Sequence, residues 1–96
     1  MTWEERKALA MAPINWEGDL KDDCAAQWAG LLLRAEWMDH YHWWWAVYDM
    51  HNNEVTIDSS NMRSEKCISG KSARDKAEAT AKAYIANGPS AIPIEY

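Results

Sequence analysis

The sequence predicts an α+β domain: a three-stranded antiparallel sheet with a short N-terminal helix and a longer C-terminal helix, in the order α-β-β-β-α. Three observations predict it. A capping-box pattern opens the chain at Thr2-Trp3-Glu4-Glu5, an aromatic run with strand periodicity spans 42–49, and an alanine stripe at helical spacing runs from Ala73 to Ile85. The 96 residues make one small domain, 1–96, long enough to bury a core without disulfides or metal.

The first helix starts at Thr2, whose hydroxyl accepts from the Glu5 amide while the Glu5 carboxylate reaches back to the cap. It runs to about Met11, and Pro13 stops it. Trp3, Ala10 and Met11 are its expected core anchors. Residues 13–23 are acidic, contain Pro13 and Gly18, and read as a loop.

Residues 24–38 fit two periods. Ala25, Trp28, Ala29, Leu32, Leu33 and Trp37 suit a helix; Leu31, Leu33, Ala35 and Trp37 alternate with Leu32, Arg34, Glu36 and Met38 as in a strand. Gly30 disfavours the helix, and Arg34 and Glu36 lie two apart, so a strand over about 28–37 is expected. The segment 42–49 is aromatic and β-branched, as strands prefer. On it, Trp43, Trp45 and Val47 share one face and Trp44, Ala46 and Tyr48 the other. Asn52-Asn53 then signals a turn into 54–59, where Val55 and Ile57 point inward, so these two strands form a hairpin.

Ser72-Ala73-Arg74-Asp75 has the composition of a helix start. Ala73, Ala77, Ala81, Tyr84 and Ile85 form the buried stripe, and Asn87-Gly88-Pro89 ends the helix. Residues 87–96 read as an extended C-terminal tail.

Composition narrows the function. The apolar fraction is 48%, typical of a folded chain; there are seven Trp, four Tyr and no Phe, so indole rings fill space that Phe usually takes. The net charge of −5 disfavours phosphate backbones and anionic membranes. No apolar run is long enough to span a membrane, and the acidic N-terminus has no secretory leader pattern. Cys24 and Cys67 are expected as reduced, buried thiols, with one disulfide between them as the alternative, and the expected compartment is the cytoplasm.

Motifs for catalysis are weak. Ser69-Gly70-Lys71-Ser72 has the last residues of a phosphate loop, but Glu65 stands where its first glycine belongs, so the site is an N-cap instead. His40, His42 and His51 do not converge: an extended strand would hold His42 and His51 about 30 Å apart. No triad or carboxylate pair recurs, so neither enzyme chemistry nor a cofactor is called for.

The α-β-β-β-α order is similar to that of double-stranded-RNA-binding domains, and Gly70-Lys71-Ser72-Ala73-Arg74-Asp75-Lys76-Ala77 resembles the start of their last helix. Asp75 interrupts the basic cluster, and the resemblance stops at that helix. It implies a nucleic-acid-binding alternative that uses Lys71, Arg74, Lys76 and Lys82. The leading expectation is a non-enzymatic, tryptophan-rich protein-binding or inhibitory module, similar in size and charge to small immunity proteins, including phage-borne ones. Its partner-binding residues would be Trp44, Tyr48 and Trp37 on an outer aromatic face, together with the acidic 17–23 loop; the alternative is that the first helix or the tail half-covers Trp44.

Overall fold

The computed structural model describes residues 1–39, 42–64 and 66–88. The expected order of elements is corrected: the sheet has five strands, not three. Helix α1 (Trp3–Leu9) is followed by β1 (Glu17–Gly18), β2 (Asp23–Trp28), β3 (Leu31–Asp39), β4 (His42–Asp49), β5 (Val55–Ser59) and helix α2 (Gly70–Asn87). All neighbours pair antiparallel in chain order, β1-β2-β3-β4-β5. The likeness in order to double-stranded-RNA-binding domains ends there.

The correction turns on two residues. Ala29 and Gly30 have φ of 52° and 80°, and Trp28 pairs with Leu31 across them. Positive φ at both positions of a two-residue loop is the primed hairpin turn, whose twist matches its strands. Gly30 therefore reverses the chain rather than weakening a helix. Gly30 takes the left-handed conformation without strain; Ala29 bears a cost of about 1–2 kcal/mol there. What reads as one strand over 28–37 is thus the end of β2, a turn and most of β3. Inside the expected 13–23 loop, Glu17 and Gly18 pair with Ala25 and Cys24 to add an edge strand.

The inner face of the sheet is the core. It presents Cys24, Ala26 and Trp28 from β2, Leu31, Leu33 and Ala35 from β3, Trp43, Trp45 and Val47 from β4, and Ile57 from β5. Helix α2 lies across β3 and β4 and touches β5, and α1 packs on α2. Its buried residues are Ala73, Ala77, Ala81, Tyr84 and Ile85, the expected stripe. Small side chains there let the helix approach the large indoles, and Trp45 is 0% exposed. At Gly70 an added Cβ would stand 3.0 Å from the ring of Trp43. Helix α2 begins earlier than expected: Ser69, not Ser72, is the cap, and its hydroxyl accepts from the Ser72 amide at 3.1 Å. Gly88, at φ 81°, closes the helix, which includes Asn87. Residues 89–96, the rest of the expected tail, lie outside the described residues.

The capping box at Thr2 and Glu5 forms as expected. Helix α1 ends at Leu9, however, and Met11 is 88% exposed rather than a core anchor. Trp3 and Ala10 do pack against the core, joined by Ile14 and Trp16. The buried residue of α1 is Arg6. Its guanidinium donates to both oxygens of Asp49 at 3.0 Å and to the Ala29 carbonyl at 2.9 Å. Tyr84 donates to the same carboxylate at 2.5 Å, and the His51 amide does so at 3.0 Å. One carboxylate thereby ties α1, the β2–β3 turn, the end of β4 and α2 together.

Candidate functional site

The strand register lays out the second face of the sheet in rows. Asp23, Glu36 and Trp44 are consecutive partners across β2, β3 and β4. The next row is Glu17, Ala25, Arg34, Ala46 and Ser59, and the third is Gln27, Leu32, Tyr48 and Thr56. Alternation along β2, β3 and β4 sends their side chains away from the core; in β5 a break in register between the Asp58 and Thr56 pairings interrupts it, and Ser59 is buried. Among the described residues both helices lie on the other face.

Trp44 and Tyr48, two of the expected contact residues, therefore share this face. They are half-buried and stand about 13 Å apart along β4. The fully buried Ala46 lies between them. Trp37 does not join them. It pairs with Trp43 across β3 and β4, which puts it on the helix-covered side, where it is 42% exposed at the end of the sheet. Parity groups Trp37 with Leu31, Leu33 and Ala35; only the inter-strand register shows that Trp44 is opposite.

Sequence reading missed Arg34 as part of this surface. Its guanidinium lies over the Trp44 ring, 5.5 Å from the centroid. It sits 3.6 Å from Asp23 and 3.7 Å from Glu36, longer than hydrogen-bonding distance, and all three side chains are at least a third exposed. A cleft of about 300 Å³ opens beside it, lined by residues that include Glu17, Gly18, Ala25, Gln27 and Leu32.

The charge around this end of the face is one-sided. The β1–β2 loop carries Asp19, Lys21 and Asp22, and the Asp22 carbonyl accepts from the Trp37 amide at 2.6 Å, which fixes the loop beside the end of β3. Glu17, Asp19, Asp22, Asp23, Glu36 and Asp39 stand here against Lys21, Arg34 and Arg74, whose guanidinium donates to the Leu20 carbonyl of the same loop: six acids and three bases, a formal −3.

The basic residues of α2 form a different kind of surface. At helical spacing Lys71, Arg74 and Lys82 fall within roughly 80° of arc, while Lys76 lies roughly 140° from Lys71. Lys71 pairs with Asp75 at 2.8 Å and Lys82 with Glu78 at 3.9 Å. Arg74 donates to the Leu20 carbonyl at 3.1 Å. Glu78 also accepts from the Trp16 indole at 2.8 Å. The shallow depression at the start of the helix is lined by Ser69, Lys71, Ser72, Lys76 and also Asp75, a carboxylate where an anion would have to sit.

The titratable groups of the core serve the fold. Burial raises the Asp49 carboxyl, but the hydrogen bonds from Arg6, Tyr84 and the His51 amide outweigh it and hold the group below the ordinary aspartate range. Burial and the neighbouring Asp49 carboxylate push the Tyr84 hydroxyl far up, so it stays a donor. Cys24 and Cys67 are buried thiols without a disulfide between them. Burial raises the Cys24 thiol, with Arg74 opposing. Among the described residues no three of His, Cys, Asp or Glu converge as metal ligands; His40 lies outside them. No helix of the described residues is long and apolar enough to cross a membrane.

Fold and surface together define a class: a helix-backed antiparallel meander with one open amphipathic face. No protein-family model, curated protein or solved structure matches the chain.

Proposed function

We propose that the chain is a protein-binding module, inhibitory or adaptor-like in effect, that meets its partner through the open face of the sheet. The observation that carries this reading is the register, which puts Trp44 and Tyr48 together on the face opposite both helices. Aromatic and arginine side chains dominate the energetics of protein interfaces. Here Trp44 and Tyr48 are held on rigid central strands with Leu32 beside them, so little ordering cost is left for binding. The carboxylate partners along α2 weigh against the nucleic-acid alternative, because an ion-paired lysine neutralises phosphate less well than an open one. Two buried thiols without a disulfide suit a reducing compartment such as the cytoplasm.

A photo-crosslinking side chain placed at position 44 should trap a specific protein that the same group at Ala79, exposed on α2, does not trap. Trp44→Ala with Tyr48→Ala should lose that protein while keeping the wild-type circular dichroism. Equal trapping from both positions, or full recovery by the double variant, removes the open face from the function.

A further inference from the structure

Two arginine clusters of similar composition sit on the two faces, and their geometries differ in a way that bears on the partner. Each of the three guanidinium nitrogens of Arg6 donates to an acceptor at 2.9–3.0 Å, and the side chain is sealed from water. Arg34 stands between two carboxylates at 3.6 and 3.7 Å, over the face of an indole, and stays partly solvated. Asp23 and Glu36 therefore keep acceptor capacity that one loosely placed guanidinium does not use. An indole face beside two carboxylates is the arrangement that draws an ammonium or guanidinium group. The acids of the β1–β2 loop and Asp39 lie at the same end of the sheet, so the field there attracts cations over a distance of roughly a Debye length.

We infer that the open face receives a lysine- or arginine-rich extended segment of a protein partner, one cation of which displaces Arg34 from between Asp23, Glu36 and Trp44. Arg34 holds the position in the unbound chain. The aliphatic parts of the same segment lie on the part-exposed Leu32 and Tyr48 of the third row. The charge balance also selects against a second copy of this chain, since two such faces would bring like charges together. This inference rests on the open face being the binding surface.

The test uses two labelled peptides, one alternating lysine with leucine and one with glutamine in place of lysine. Binding is read by fluorescence anisotropy at low salt and located by backbone amide shifts. The lysine peptide should bind more tightly than the glutamine peptide and shift amides of β3 and β4. Asp23→Asn with Glu36→Gln should weaken it about tenfold. Arg34→Met should tighten it severalfold, because the internal competitor is gone. Asp75→Asn on α2 alters net charge in the same direction as either carboxylate variant and should leave binding unchanged.

Equal affinity for the two peptides overturns the cation site while leaving the open face as a binding surface. Shifts confined to α2, or Asp75→Asn weakening binding as much as the β2–β3 variants, overturn it as well. Weaker binding by Arg34→Met makes Arg34 a partner contact and refutes displacement. Sedimentation of the chain as a dimer with the β3 and β4 amides protected assigns the face to a second copy. Binding that develops only after removal of residues 89–96 assigns it to the chain's own tail.

Discussion

Arg6 and Arg34 are the same residue in two settings, and the comparison separates what holds this fold from what the fold presents. Each guanidinium meets carboxylate and aromatic groups. Arg6 lies 4.8 Å from the ring centroid of Trp3 and 5.9 Å from that of Tyr84 and makes a two-pronged pair with Asp49. Arg34 lies over Trp44 with two carboxylates nearby. The first cluster joins elements far apart in the chain. The second joins adjacent strands that the backbone ladder already pairs. Removing a member of the first leaves a charge without water or partner; removing a member of the second leaves one that water can reach. Burial, not residue type, decides which cluster is structural.

The largest expected effect follows from that asymmetry. Asp49→Ala should cost about 3–5 kcal/mol, measured by urea unfolding, because Arg6 is then buried without its counterion. The acid limb sharpens the same point. The folded Asp49 carboxyl is held below its unfolded value, so its contribution is complete above about pH 4 and is lost as pH falls through the folded value. An Asp49→Asn variant should lack that part of the acid transition. A variant with an unchanged acid limb and near wild-type stability would show that Asp49 does not hold the four elements together.

Gly30→Ala should cost less, about 1–2 kcal/mol. The residue has φ of 80°, and an added Cβ would meet the His51 ring at 2.5 Å and Arg6 Nε at 3.3 Å. His51 is exposed and its ring can swing away, but Arg6 is fixed by Asp49 and Ala29, so the strain falls on the buried cluster. A variant as stable as wild type in thermal unfolding would mean that the turn relaxes without disturbing Arg6.

These two sites also show why part of the fold was legible in the sequence and part was not. Local signals translate directly: the Thr2–Glu5 cap, the alanine stripe of α2, the β4–β5 hairpin and the division of Trp43, Trp44 and Trp45 between faces each depend on residues within a few positions of one another. The β2–β3 turn failed because alanine is an uncommon occupant of positive φ, so Ala29-Gly30 lacks the usual turn composition. Strand β2, with alanines at its centre, has little strand propensity of its own and is held by pairing on both edges. The Arg6–Asp49–Tyr84 cluster joins residues 43 and 35 positions apart, and a charged residue on a short helix reads as solvated until its partner is located. The candidate site was legible in half. Alternation placed Trp44 and Tyr48 on one face, but setting Trp37 apart and bringing Asp23, Glu36 and Arg34 beside Trp44 required the register.

The smallest expected effect tests the other half of the comparison. Arg34→Met should change stability by less than about 0.5 kcal/mol. Methionine keeps much of the aliphatic stem, so what is lost is an exposed pair of charge contacts and one cation–ring contact. The loss of attraction is partly offset, because Asp23 and Glu36 are solvated and free to turn toward water. Urea unfolding at low and high salt separates the contributions: the small difference from wild type should shrink further as salt screens the carboxylates. A cost near that of Asp49→Ala would mean that Arg34, like Arg6, is a structural tie, and the open face would then have no cation to yield to a partner.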